Sequence, residues 1–588
     1  MIKDPAIRRQ LMWLILPALL LVLVAPLVLD TYTINILIRA LFFAMLALTV
    51  DVLWGYTGYL TFGQSAFFGA GAYAAGLVFT HLGFGPGYVL LAAFLAVVAA
   101  LLIGLITGWL SFYHGSTPLY ASVISLVLPI VLTQVLFSGG TFTGSSSGLT
   151  GYEAPDLELE TWFRLVGSAL VVLTAFTCLF LRSDGGRILS AIRDNETRCS
   201  YLGIDISRYK IYLLIATGII ASLAGFGYAS FSGVVAPELA GFVFGTEVII
   251  WVALGGRGTI MGPVLGAVLI DWSSAYLSGN LPYVWKLFLG IAFVLVIVLL
   301  PKGLLPAILK WFRKINDATQ QPKTVRLVLA DTTQPAGLYT GLAIELKGVA
   351  KSFGSLNVLS DITFSARAGE LVSLIGPNGA GKTTLMRCIS DGAERGGGTI
   401  YIQGHDIKLA PPHQCVQFGL GRKFQTATVF DSLTVAECLR IARTRIETPS
   451  FSTRSTELHL PSYALEVLRA TELDQKLDVV TNTLSHGEKQ ALELAMVLAL
   501  EPRVVLLDEP TAGLSQSERS LIGRILVDLT SRFGLCLLLV EHDLDFVREI
   551  SSRIVVLHQG RLVMEGTVRE VVDSDLVKTI YSGSLGHA

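Results

Sequence analysis

The sequence predicts an α-helical polytopic membrane domain joined to an α/β domain built around a phosphate-binding loop. Three observations predict it. Apolar runs long enough to cross a bilayer recur through residues 11–300, and the loops between them carry sharply unequal charge. After residue 342 the sequence turns to short apolar strands that end in glycines or carboxylates.

Of the 588 residues, 52% are hydrophobic and only 15% charged. That is too apolar for an ordinary soluble enzyme, and the length fits about two to four domains. A formal net charge of −1 gives no electrostatic reason to expect nucleic acid as a partner. The six cysteines, Cys178, Cys199, Cys388, Cys415, Cys438 and Cys536, form no CxxC pair. Buried, reduced thiols are therefore expected, not a zinc site or a disulfide framework.

The apolar segments lie at 11–29, 34–54, 60–80, 88–110, 118–137, 162–181, 211–231, 244–255, 261–278 and 284–300, about ten spans by length. The first follows Lys3, Arg8 and Arg9 as a signal peptide would. No small-residue cleavage site comes after it, so it reads as a retained span. The connection 138–161 carries Glu153, Asp156, Glu158 and Glu160 without Lys or Arg. The connection 182–210 carries Arg182, Arg187, Arg193, Arg198, Arg208 and Lys210, and the exit at 302–314 carries Lys302, Lys310, Arg313 and Lys314. Basic loops stay cytoplasmic, so the first faces out and the other two face in, as about ten crossings from an inside N-terminus require.

Segments 60–80 and 244–255 are the weakest spans, one rich in Gly and Ala and the other short. Either reads as a broken or re-entrant helix, which is tolerated where it lines a cavity or is buried in protein. Glycines crowd GYTGYLTFGQSAFFGAGAYAAG (55–76) and GGRGTIMGPVLGA (255–267). Small residues there serve either close helix packing or a path that exposes backbone to a small solute. Arg39, Asp51 and Glu247 lie near span ends, where they can snorkel. Asp271 falls mid-span, where a charge is costly and serves a structural pairing or a pathway.

A polar linker, roughly 311–341, separates a membrane domain (1–310) from a second domain (342–588), and no structure is assigned to it. Beyond it, LVSLIGPNGAGKTTLMRCI reads strand, glycine loop, helix, the context a phosphate loop requires. The loop is Gly376, Pro377, Asn378, Gly379, Ala380, Gly381, Lys382, Thr383 and Thr384. Its glycines let backbone N–H groups turn inward around phosphates, and the helix N-terminus adds its positive end. Lys382 reaches the β- and γ-phosphates of ATP, and the Thr383 hydroxyl can ligate Mg²⁺. RVVLLDEP (503–510) is an apolar strand ending in two carboxylates. Asp508 fits the Mg²⁺-linked acid and Glu509 the group that polarises the attacking water. LLLVEHD (537–543) places His542 where a γ-phosphate contact is expected.

With LSHGE at 484–488, these motifs resemble the ATP-binding cassette proteins over roughly 342–583. LSHGE stands where that family has its signature LSGGQ. In the family two cassettes dimerise head to tail, and the signature of one closes over the ATP held by the other. The resemblance thus implies that Ser485 and Gly487 contact a neighbour's nucleotide. It also implies that Phe353 in KSFGSLNVL stacks on adenine. Gln425 in GRKFQ would sense the membrane domain and join the catalytic and Mg²⁺-binding groups. Departures are His486, Glu488 in place of Gln, and Ser515 where many cassettes have Asp.

PPHQCVQFGLGRKFQ (411–425) resembles the cassette of the branched-chain amino acid and urea/amide importers. GYLTFGQSAFFGAGAYAAGL (58–77), AIRDNETRCSYLGIDISRYK (191–210) and EVIIWVALGGRGTIMGPVLGA (247–267) resemble their permease, over roughly 30–305. GRKFQ, LSHGEKQ and AYLSGNLPYVWKLFLG look more like the urea type, AGLSQSE more like the amino-acid type. Permease and cassette are usually separate chains in that family, so the fusion is a departure.

The resemblance implies a fused subunit of an importer in the bacterial inner (plasma) membrane, with its cassette in the cytoplasm. MgATP would drive uptake of a small neutral or zwitterionic solute, either a branched-chain amino acid or urea and short amides. The implied partners are a second permease, a second cassette and an external solute-binding protein, with loop 191–210 docking near Gln425. Two other readings stand beside it. A nucleotide-gated channel or receptor would keep the cassette without pumping, and Glu509 argues against that. A fused exporter would show about six long spans with large cytoplasmic extensions.

Overall fold

The computed structural model describes residues 5–113, 118–280, 284–300, 302–313, 325–330 and 341–582. The chain forms two compact units. Each draws a short segment from the other's stretch of sequence: residues 190–205 fold with the C-terminal unit and 451–453 with the N-terminal one.

In the N-terminal unit each of the ten expected segments carries a helix. Among the described residues, six are long and apolar enough to cross a bilayer: Thr31–Thr57, Gln64–Leu82, Pro86–Phe112, Leu119–Ser138, Leu159–Arg182 and Ile206–Ser232. The glycine-rich segment is a continuous helix from Gln64 onward. Phe242–Gly255 keeps 14 residues, about 21 Å of helix against a hydrocarbon thickness of about 30 Å.

Small residues set the spacing. A Cβ on Gly71 would stand 1.8 Å from Ser222 O, and one on Gly225 1.9 Å from Phe68 O. Gln64–Leu82 and Ile206–Ser232 therefore meet backbone to backbone. A Cβ on Gly266 would likewise fall 2.1 Å from Trp251 O, which ties Met261–Asn280 to Phe242–Gly255. At these positions the glycines serve helix packing.

Two of the ionisable expectations change. Asp51 does not snorkel: it is fully buried and accepts the Gly258 N–H at 2.6 Å and the Ile260 N–H at 3.2 Å. A turn that runs at positive φ through Gly258 and Ile260 leaves two backbone donors without helix or strand partners, and the carboxylate satisfies them. Arg39 does not snorkel either. Its Nε meets Asp271 Oδ2 at 3.1 Å and its Nη2 meets Oδ1 at 3.0 Å. This two-pronged pair gives Asp271 a structural partner.

The C-terminal unit holds a six-stranded sheet in the order Arg561–Gly566, Arg553–His558, Leu371–Ile375, Cys536–Val540, Val504–Asp508, Leu420–Lys423. All neighbours are parallel except the first pair. Buried on both faces, the inner strands read as continuous Val, Leu and Ile, as parallel strands do. A second, antiparallel sheet comprises Leu356–Arg367, Leu342–Phe353, Gly397–Ile402 and His405–Asp406. The linker departs from expectation. Helix Leu304–Arg313 reaches into it, and Arg326–Leu329 forms a strand in parallel with Glu457–Leu460. The run VRLVLA is apolar and β-branched enough to pair once an open strand edge is beside it. All six cysteines are free and buried.

Gly71→Ala is expected to destabilise the membrane unit by about 1–3 kcal/mol, because the new methyl must displace backbone. Gly87→Ala, which meets nothing within 4 Å, serves as control. Thermal unfolding of the purified chain compares the two.

Candidate active site

Four neighbouring parallel strands end on the same side of the sheet, and each end delivers one part of the site. Leu371–Ile375 runs into the glycine loop and helix Lys382–Ser390. Cys536–Val540 leads to His542, Val504–Asp508 to Glu509, and Leu420–Lys423 to Gln425. Residues far apart in sequence meet there because crossover connections return each strand in the same direction.

The loop is shaped for an anion. Gly376, Gly379 and Gly381 have φ of +152°, +82° and +97°. A Cβ on Gly376 would lie 2.0 Å from Leu557 O, so only glycine fits. Pro377, Asn378 and Gly379 line the open side, Ala380 is buried beneath, and Thr383 is exposed at the helix start with Thr384 half-buried. The Lys382 ammonium donates to Gly376 O at 2.7 Å and Pro377 O at 3.0 Å. Burial pulls its pKa down, while Glu509 and Asp508 pull it up.

Asp508 is 3% exposed, and its Oδ1 has no hydrogen-bond partner among the described residues. Burial raises its pKa, against the pull of Arg422. An orphaned buried carboxylate oxygen beside a phosphate loop fits a divalent cation, with the Thr383 hydroxyl as the second protein ligand. Held by Asp508 and Thr383, such an ion would supply positive charge to the phosphate site.

Glu509 is held from both sides. Gln425 Nε2 donates to its Oε2 at 2.8 Å, and His542 Nε2 stands 2.8 Å from its Oε1. Its backbone sits at φ +45°, a left-handed conformation that costs a non-glycine residue about 1–3 kcal/mol. The Glu509 N–H bonds Val540 O at 2.9 Å, which pins that conformation to the neighbouring strand. The carboxylate is thus aimed across the strand ends, where it can take a proton from a water attacking phosphorus.

The sequence reading placed Glu509, His542 and Gln425 at one centre, and the structure brings them together. Phe353 ends its strand half exposed with the Lys351 ammonium 4.9 Å above its ring, an open aromatic face suited to a base. Ser485 caps helix His486–Leu498 in a reciprocal capping box with Glu488. Gly487 lies against Glu518, and His486 against Gly513, at the start of helix Gln516–Ser531.

Loop 191–210 was expected near Gln425, and its residues do meet the chain around 422–432, through a buried charge cluster whose members the sequence did not single out. Glu493, fully buried, accepts from Phe424 N–H at 3.2 Å and Thr428 Oγ1 at 2.8 Å. Its Oε1 lies 3.3 Å from Arg198 Nη1, and its Oε2 lies 3.9 Å from Lys423 Nζ. Arg198, also fully buried, donates from Nη1 to Arg422 O at 2.9 Å. Tyr201 adds its ring against Phe424, and the Asp194 carboxylate accepts the Ser432 N–H at 2.7 Å. The signal was charge inside apolar text: Arg422 and Lys423 in a wholly buried strand, and Glu493 amid LELAMVL.

A phosphate cradle beside a strained, doubly held carboxylate defines a P-loop ATPase. Residues 32–299 match the family model described as the branched-chain amino acid transport system permease component, and 359–512 match the ABC transporter model. The chain is 32% identical over 250 residues to the high-affinity branched-chain amino acid transport ATP-binding protein BraF of Pseudomonas aeruginosa, covering 41% of this chain and 97% of BraF. It is 30% identical to LivG, of the same description, from Escherichia coli K12, over the same shares. It is also 34% identical to the lipopolysaccharide export system ATP-binding protein LptB of Haemophilus influenzae, over 40% of this chain and 95% of LptB. Among solved structures, the ADP conformation of the cassette MJ1267 is 25% identical with a TM-score of 0.37, over 42% of this chain and all of that one. The chain belongs to the ABC transporter family, as a membrane permease fused to an ATP-binding cassette whose hydrolysis of ATP is coupled to transport.

Glu509→Gln should keep ATP binding and lower turnover about a hundredfold or more, since the cradle and Asp508 remain while the base is gone. Nucleotide binding and phosphate release, measured on the same preparation, check both halves.

Proposed function

We propose that this chain is the fused permease and cassette subunit of an importer in the bacterial inner membrane, with the cassette in the cytoplasm. Its cargo is a branched-chain amino acid, or urea and short amides. Mg²⁺ accompanies ATP, and Thr383, Asp508 and Gln425 would hold it. Lys382 and the backbone of 376–384 bind the phosphates, Phe353 the base, and His542 the γ-phosphate beside Glu509. Ser485 and Gly487 complete the site of a second cassette. A second permease and an external solute-binding protein complete the assembly.

The observation that carries the reading is Arg198. It belongs to the stretch matched by the permease family, yet it is buried in the cassette unit, on the carboxylate that fixes the loop 424–428. Gln425, in that loop, holds the catalytic Glu509. A gate that responds to nucleotide binding alone has no need to tie the hydrolytic carboxylate to permease sequence. The exporter reading asks for long cytoplasmic extensions. The longest candidate spans have 27 residues, about 40 Å, little more than a tilted crossing. A cavity of about 420 Å³ in the membrane unit, lined by Tyr228, Val234, Val243 and Phe244 with Glu238 and Glu247, suits an apolar solute that presents N–H donors.

Two measurements test this reading. In proteoliposomes with its partner subunits, the chain should accumulate leucine-like amino acids or urea and short amides in an ATP-dependent way. Uptake of sugars or metal chelates with none of these would remove the importer assignment. Arg198→Ala leaves Glu493 with Lys423, the Phe424 N–H and the Thr428 hydroxyl, a loss on the order of 3–5 kcal/mol for a broken buried pair before that compensation. It should retain ATP binding and lose uptake. Full uptake by this variant would show that the buried cluster does not couple the two activities.

A further inference from the structure

The strand in the linker has a position that a spacer does not need. Arg326–Leu329 pairs in parallel with Glu457–Leu460. The pairing extends at both ends, with Arg326 N–H donating to Thr456 O at 2.9 Å and Ala330 N–H to Leu460 O at 2.8 Å. Val325 and Ala330 are buried at its two ends, and across from it Leu458 and Leu460 are buried as well. A two-stranded sheet is marginal alone in water, so this one stands on what it packs against. Glu457–Leu460 passes through Pro461 straight into helix Ser462–Ala470, which packs on His486–Leu498, the helix that Ser485 caps. The linker is therefore bonded one element away from the signature helix, and only the stretches 314–324 and 331–341 remain on either side of the strand.

We propose that residues 325–330 act as a strap. Through Glu457–Leu460, the linker leaving the membrane domain holds the helices Val435–Arg443, Ser462–Ala470 and His486–Leu498, and so sets where Ser485 is presented. The effect on turnover rests on the reading of Ser485 as a contact to a second cassette's nucleotide. The strap itself is read independently, by backbone exchange.

Parallel register supplies the test. Arg326, Val328 and Ala330 aim their N–H groups at Glu457–Leu460, while Leu327 and Leu329 aim theirs away. Proline at 330 removes a bond that proline at 329 spares. In the full chain, Ala330→Pro should speed amide exchange at Leu458 and Leu460 about tenfold or more, the scale of a lost strand bond. In the complex with its partner subunits, it should lower ATP hydrolysis and uptake about threefold or more, with ATP affinity of the resting chain unchanged. Leu329→Pro should stay within about twofold on every readout. If Ala330→Pro does not assemble, a Gly-Ser segment of equal length in place of 325–330 makes the same comparison with tether length preserved. Equal exchange in the two proline variants overturns the strap, whatever happens to transport. Faster exchange with unchanged hydrolysis overturns its positioning role. Hydrolysis lost on replacing Ser485 but untouched by the strap variants overturns the positioning role while sparing the two-site reading.

Discussion

Everything the cassette does depends on four adjacent strands that run the same way. Parallel pairing forces each connection to cross the sheet and return, so the carboxyl ends collect on one edge whatever lies between them in sequence. Phosphate loop, acid, base, histidine and glutamine become neighbours for that reason alone. The price is carried at Glu509, where the strand must release its carboxylate toward the loop and adopts left-handed backbone to do so. The bond from its N–H to Val540 keeps that conformation from relaxing.

A second constraint is electrostatic. Glu493, Lys423, Arg422 and Arg198 are charges taken almost wholly out of water. Desolvating such groups is expensive, and pairing restores only part of that cost. Apolar residues of similar size would pack as well with less penalty. What the charges add is an address: only a guanidinium with the reach of Arg198 satisfies both Glu493 and the Arg422 carbonyl. This couples the loop 424–428 to a segment of permease sequence through a buried ion pair, and losing either partner would leave the other charge uncompensated.

The parts of the protein that were legible in sequence are those whose chemistry is local. A strand, a glycine loop and a helix are written in one stretch of residues, and so is a strand ending in two carboxylates. The helices of the membrane unit are legible for the same reason, since length and apolarity are properties of a segment. Asp51 and Asp271 were not, because their roles depend on a turn 207 residues away and an arginine 232 residues away. The linker strand escaped because Arg326–Leu329 pairs only where Glu457–Leu460 offers an edge. Glu493 looked like any polar residue of a helix until its helix was packed. The crowded glycines left two readings open in sequence, and contact distances to Ser222 and Phe68 were needed to choose between them.

The burial of Arg198 also has a temporal side. It bonds Glu493, which follows it by 295 residues. At about 5–20 residues per second, a ribosome needs roughly 15–60 s to make that stretch. Until Glu493 is made, the Arg198 guanidinium lacks the carboxylate that later pairs it, and water solvates its charge. The spans on either side must therefore insert without its help. Once Glu493 emerges, the segment closes onto its own chain, where tethering replaces a search for a partner at cellular concentration. One permease is thereby joined to one cassette as the chain is made.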